Sequence, residues 1–166
     1  MLKNLALITL SVFALIIAGC NGGGDDVEVK EFNINGSSSE LEDGRVTIDS
    51  AINNGEFELV WKVDDDNSNY YTAEFYLSLN SNLDDDNDIR FYTAYCDDLF
   101  GGCDDDDRND EDCWFDNNLE IVCEDDDDPE TEVDELIDAL PQDLYVIIEA
   151  CNGSDCDTET VAVRLR

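Results

Sequence analysis

The sequence contains no histidine, and only eight lysines and arginines stand against 44 aspartates and glutamates, for a formal net charge of −36. Each shortage closes a class of function. A surface so poor in cations cannot neutralise phosphates, which excludes nucleic acid as a partner and leaves no basic patch for anionic lipid. Without histidine there is no imidazole to act as general base or to complete a mixed zinc site. A G-x-S-x-G elbow and a phosphate-binding loop are also missing, so the motifs that would suggest a hydrolase or a nucleotide enzyme are not there. The partners compatible with this charge are cations, basic proteins and uncharged polymers.

What the chain does have is enough apolar residue, 42%, for a folded domain. Its acids gather in runs, at 64–66, 84–88, 97–98, 104–107 and 125–128, and these runs are almost entirely aspartate. Aspartate favours turns and Asx loops where glutamate favours helices, so the charge belongs mainly to loops between strands.

The first nineteen residues have a separate purpose. Lys3 precedes an uncharged apolar run from Leu5 to Ile17, and Ala18-Gly19-Cys20 closes it. The run is too short to span a bilayer as a stable helix and has the layout of a secretory signal. Ile17-Ala18-Gly19-Cys20 resembles the lipobox of bacterial lipoproteins. That resemblance implies cleavage before Cys20, acylation of Cys20 by diacylglyceryl and palmitate-type chains, and a cell-envelope address. Asn21 after the cysteine implies sorting to an outer membrane, with either a periplasmic or a surface-exposed domain. Residues 20–26, rich in glycine, form a flexible tether, and residues 27–166 form one domain.

Strands dominate that domain. Leu140 to Cys151 is the most apolar stretch after the signal, rich in β-branched residues and entered through Pro141, and it reads as a strand in the middle of a sheet. Thr158 to Leu165 alternates and completes a hairpin with it across Asn152-Gly153-Ser154-Asp155. Upstream, strands are expected over Val27–Asn35 and Arg45–Ile48. Another follows at Phe57, Leu59, Trp61 and Val63, then one at Ala73, Phe75, Leu77 and Leu79, and one over Ile89–Tyr95. Val133, Leu136, Ile137 and Leu140 fall at i, i+3, i+4 and i+7, with Pro129 before them and Pro141 after, and this spacing predicts a short amphipathic helix over one end of the domain.

Trp61, Tyr71 and the Pro141-x-x-x-Tyr145 turn resemble the fibronectin type III and related immunoglobulin-like sandwiches, over residues 44–96 and 140–166. The resemblance implies a buried tryptophan on the second strand and a tyrosine corner at Tyr145. Glu149 departs from it, since alternation allows either Tyr145 or the set Leu144, Val146 and Ile148 to face inward. The cysteine-rich acidic segment 97–130 departs further and reads as an insertion. The expected fold is therefore an all-β, immunoglobulin-like sandwich carrying that insertion and one short helix.

Six cysteines beyond Cys20 in an exported chain point to three disulfides. Cys151 and Cys156 bracket the last hairpin. A hairpin around Asn117-Asn118-Leu119 would set Cys113 opposite Cys123 and leave Cys96 with Cys103; the rival arrangement joins Cys96 to Cys123 and Cys103 to Cys113. Four cysteines could instead hold zinc, but their spacing lacks the close C-x2–4-C knuckle. For metal, calcium is the sharper candidate. Asp64, Asp66, Asp84, Asp86 and Asp88 place carboxylates at alternate positions of two loops, as calcium loops do, although both lack glycine at the sixth position and glutamate at the twelfth. The competing account of these loops is a solvated acidic face.

The function these features support is a membrane-anchored, non-catalytic binding or adhesion module with a protein or polysaccharide ligand. An envelope structural or assembly subunit is the alternative, and a secreted-type hydrolase a more distant one. Phe100, Trp114 and Phe115 are the aromatic residues placed to make a contact surface, or else a small core inside the cysteine-rich segment.

Overall fold

The computed structural model describes residues 27–36, 43–65, 70–84, 87–97, 103, 108–124, 130–153 and 155–166. The signal segment, Cys20 and the glycine tether lie outside them. Ten strands fill the described chain: β1 Val27–Asn35, β2 Val46–Ile48, β3 Glu56–Asp65, β4 Tyr70–Ser78, β5 Ile89–Asp97, β6 Asn109–Phe115, β7 Glu120–Cys123, β8 Thr131–Glu132, β9 Gln142–Asn152 and β10 Asp155–Leu165. They form two five-stranded sheets, ordered β1-β3-β6-β7-β8 and β2-β10-β9-β4-β5. All pairings are antiparallel except β2 with β10, where Val46–Ile48 run parallel to Val163–Leu165. The chain thus leaves the first sheet after β1, touches the far edge of the second at β2, and returns to the first at β3.

The two sheets meet through an aromatic cluster. Phe57, Leu59, Trp61 and Val63 alternate inward from β3, as expected, and Tyr71, Ala73, Phe75 and Leu77 do so from β4. Phe75 sits at the middle. Its ring centroid is 5.1 Å from that of Trp61 in an edge-on contact, 5.9 Å from Phe32 and 5.5 Å from Tyr92. Phe57 meets Phe91 from the opposite sheet at 6.4 Å. Tilted and edge-on geometries of this kind suit the ring quadrupoles better than flat stacking does. Leu79 was expected inward with Leu77 but lies past the end of β4 and is exposed, while Ser78 is buried.

Three other expectations are corrected. The predicted helix at 133–140 does not form: among the described residues the only helical element is a 3-10 turn at Asn53–Gly55. Thr131 and Glu132 pair with β7 instead, and single turns close by Leu136 N–H donating to Val133 and Ile137 N–H to Asp134. Val133, Leu136 and Ile137 still reach the core. A segment this short, with acids between its apolar residues, gains too few helical bonds to offset nucleation. Segment 97–130 is not appended to a finished domain, because it supplies β6, a strand with neighbours on both sides, and β7. Glu111, Cys113 and Phe115 face inward there and Asp110, Asp112 and Trp114 outward, an alternation hidden by acidic composition. Tyr145, finally, is no buried corner. Leu144, Val146, Ile148 and Ala150 take the inner face, and Tyr145 stands outward under the Arg45 guanidinium at 5.3 Å.

Two glycines are dictated by backbone geometry. Gly55 has φ +75°, and a Cβ there would come within 1.9 Å of the Phe115 carbonyl oxygen. Gly153 has φ +63° in the tight turn between β9 and β10, where any side chain would be strained.

On the outer face at the β2, β9 and β10 edge, Asp143 receives a two-pronged hydrogen bond from Arg164, with Nε at 2.6 Å and NH2 at 3.1 Å. Arg45 lies 3.3 Å from the same carboxylate and also donates to the Leu144 carbonyl. The Arg164 hydrogen bond, with the charge of both arginines behind it, holds the Asp143 carboxyl below its ordinary value of 3.8, against a smaller opposing effect of desolvation.

Two measurements test this architecture. Phe75→Ala should destabilise the domain by about 3–5 kcal/mol in urea unfolding, the cost of truncating a fully enclosed ring; a loss below about 1 kcal/mol would mean the sheets do not close on it. For Asp143 the folded pKa is lowered, so its stabilisation is present above pH ~4 and lost as pH falls through the folded value. Asp143→Asn should therefore melt below wild type at neutral pH, with the gap closing in strong acid. A gap independent of pH would show that charge is not what the arginines recognise.

Candidate functional site

Where β5 of one sheet passes β6 of the other, the sheets leave a cleft of about 510 Å3. Trp61, Tyr92 and Glu111 form its inner part, and Tyr95, Arg108 and Asn109 its rim. Each is positioned by strand register. Trp61 lies opposite Asn109 in the β3–β6 ladder, and Glu111 is two residues further along β6 on the inward face. Tyr92 turns inward from β5, whereas Tyr95, on the opposite face of the same strand, is 66% exposed. Cys103, half-buried, also lines the cleft and is bridged to Cys96 on β5.

Two features of the cleft are chemically unusual. Glu111 is the one carboxylate among the described residues that is buried, at 6% exposure, and it accepts a hydrogen bond from the Tyr92 hydroxyl at 3.1 Å. The indole nitrogen of Trp61, in a side chain only 2% exposed, has no hydrogen-bond acceptor among the described residues. Leaving a buried donor unmet costs about 1–3 kcal/mol. Nearby, the Asn109 amide donates weakly to the Tyr71 hydroxyl at 3.4 Å, and Arg108 lies 3.3 Å from Glu31 on β1.

The calcium candidates are placed apart. Asp64 is the last residue but one of β3, 3.6 Å from Lys30, while Asp84 and Asp88 follow the far end of β4. Nine residues of strand, roughly 30 Å, separate the two loops. Asp84 and Asp88 close on themselves: Asp84 N–H donates to Asp88 Oδ2 at 2.6 Å, and the Asn87 amide to Asp84 Oδ2 at 2.7 Å. Asp88 Oδ1 is buried without a hydrogen-bond partner among the described residues, in a side chain that is itself half-buried. Asp66 and Asp86 lie outside the described residues, as do Phe100 and Pro129. The one group of three possible metal ligands that the described residues bring together is Glu149 with Cys151 and Cys156. Those two sulfurs are bonded to each other, and a disulfide is not the thiolate that binds metal.

The other aromatic candidates divide. Phe115 is fully buried in the core and Trp114 half-buried on the outer face. Trp61 was expected as a core residue, but Glu111 escaped the sequence reading because it stands in an acidic run. The available signal was its alternation with Cys113 and Phe115.

Cysteines pair as Cys96–Cys103, Cys113–Cys123 and Cys151–Cys156. The last two join residues directly opposite in antiparallel ladders, with Cα atoms 4.1 Å apart in each. In the β6–β7 hairpin Asp116 N–H donates to the Glu120 carbonyl, the register expected around Asn117-Asn118-Leu119. Peptide mapping without reduction should recover these three links. A fragment joining Cys103 to Cys113 would overturn the β6 register as well as the pairing.

Comparison with protein-family models, with characterised proteins and with solved structures finds no match to this chain, so its functional reading rests on its own residues.

Proposed function

We propose that this protein is a lipid-anchored, extracytoplasmic binding module: a non-catalytic, immunoglobulin-like domain tethered through Cys20 to a bacterial envelope membrane, the outer one by the Asn21 pattern. The observation that carries the binding role is the cleft between β5 and β6. It is concave, of a size typical for small-molecule sites, roughly 300–1,000 Å3, and it gathers aromatic walls around a few buried polar groups. The immunoglobulin-like assignment draws support from the strand order, in which the chain crosses from β1 to pair β2 with the last strand, and from Trp61 at the centre of the β3 face.

Edge chemistry favours binding over the assembly alternative. The four sheet edges are β1, β2, β5 and β8. β2 has three residues and β8 two. A bulge between Val29 and Glu31 interrupts β1 beside Lys30, and the β4–β5 ladder is interrupted at Phe75 and Tyr76. Short, bulged and charged edges resist adding strands from another chain. A hydrolase would need two carboxylates flanking one bond; Asp110 also lines the cleft, but it alternates to the exposed face of β6 while Glu111 turns inward.

Metabolic labelling tests the anchor. Expressed in a bacterium fed an alkyne-tagged palmitate, the full chain should take up label and fractionate with membranes, and Cys20→Ser should lose both properties. Unlabelled wild-type protein in the soluble fraction would overturn the lipid-anchor reading.

A further inference from the structure

We infer that the outer face of the β2-β10-β9-β4-β5 sheet, at the end nearest the tether, rests on the neutral headgroup layer of the membrane that holds the lipid, with Tyr95 and Tyr70 as its contact rings. This goes beyond the binding-module reading and rests on its lipid anchor.

Strand register builds the surface. Tyr95 on β5 lies opposite Thr72 on β4, Thr72 opposite Cys151 on β9, and Cys151 opposite Cys156 on β10. Residues opposite each other in a ladder share a face. Tyr71, Ala73 and Cys96, which alternate with them, are buried, so this face is the outer one. The row crosses four strands, about 14 Å at the usual strand spacing. None of its members carries a charge, the two cysteines being bonded to each other. Tyr70 stands diagonally from Tyr95, two residues before Thr72. These tyrosines, 48% and 66% exposed, are the exposed aromatic residues among the described ones. A tyrosine open to solvent, apolar in its ring and polar at its hydroxyl, suits the boundary between headgroups and water.

The start of β1 decides what lies against this surface. Val29 N–H donates to Asp157 Oδ2 at 2.8 Å, so β1 begins beside the residue that follows Cys156, at one end of the row. Residues 20–26 separate β1 from Cys20, and seven residues span at most about 25 Å. The tether is thus long enough to let the row lie on the bilayer and short enough to keep it close. A linker of this length holds the surface at an effective concentration in the mM range, so contacts that are weak one by one suffice. Charge sets the headgroup class: at −36 the protein is repelled by an anionic leaflet, a penalty that zwitterionic lipid does not impose. Tyr95 also belongs to the rim of the β5–β6 cleft, so the docked domain opens that cleft beside the bilayer.

The test is hydroxyl-radical footprinting, read by mass spectrometry, of the full lipidated chain in phosphatidylcholine vesicles, with the unlipidated Cys20→Ser chain as the water-exposed reference. Tyr95 should be oxidised about threefold more slowly on the vesicles, as for a surface docked about two-thirds of the time, while Leu79, exposed at the opposite end of β4, is unchanged. Lengthening the tether by about twenty glycine and serine residues after Gly24 should weaken the protection, and so should phosphatidylglycerol in the vesicles. Tyr95→Glu, at an exposed position, should return Tyr70 to its reference rate, with near-ultraviolet dichroism confirming an unchanged fold. If the chain is lipidated and sediments with vesicles but Tyr95 is oxidised at the reference rate, the docking surface is wrong and the anchor stands. If the palmitate experiment shows no label, the anchor falls and this inference with it. Protection that grows with protein density on the vesicles would assign the face to a second copy of the chain, and protection strengthened by phosphatidylglycerol would make the headgroup class wrong; either result overturns the inference.

Discussion

Everything in this domain depends on the contact of Trp61 with Phe75 between the two sheets. Like charges spread over the surface of a compact body repel one another, and at −36 the repulsion acts against the folded state as a whole. The opposing force has to come from apolar burial, and the largest enclosed side chains are Trp61, Tyr71, Phe57, Phe75, Phe91 and Phe115. They are contributed by four strands, β3 and β6 of one sheet with β4 and β5 of the other. The carboxylates, by contrast, are held in loops and on outer faces, where water and counterions screen them.

The few cations stand where carboxylates gather. Arg45 and Arg164 converge on Asp143 at the junction of β2, β9 and β10. Arg90 bridges to Glu74, whose carboxylate also receives the Tyr76 hydroxyl; burial, then this hydrogen bond, pushes the Tyr76 phenol well above its ordinary range. Lys30 stands between Glu28 and Asp64. Where no cation is supplied the strain is visible in Glu120, opposite Glu132 in the β7–β8 ladder: desolvation, followed by repulsion from Asp116, Glu130 and Glu132, raises its carboxyl.

Most of the strands were legible in the sequence because period-two alternation survives wherever one face is buried. Val27–Asn35 matches its expected bounds, and β3, β4, β5, β9 and β10 differ from theirs by a few residues. The failures share a cause. At 109–115 the outward residues are so acidic, and the inward set includes a glutamate and a cysteine, that hydrophobicity does not oscillate even though burial does. At 133–140 an i, i+3, i+4 pattern arose from two short turns that drop Val133, Leu136 and Ile137 into the core, and spacing alone does not distinguish these from a helix. The cleft was illegible for a different reason. Trp61, Tyr92 and Glu111 come from three strands in two sheets, and no local pattern brings such residues together.

The disulfides have a consequence for how the chain acquires its form. Each bridge spans a sequence separation of only 7, 10 or 5 residues, and none ties one sheet to the other. Rings this small exclude few conformations of the rest of the chain, and in a chain exported as proposed their partners would emerge almost together. Oxidation can therefore proceed hairpin by hairpin as the polypeptide arrives, with each correct partner the nearest thiol available. A native set that proximity alone selects leaves little for an isomerase to correct.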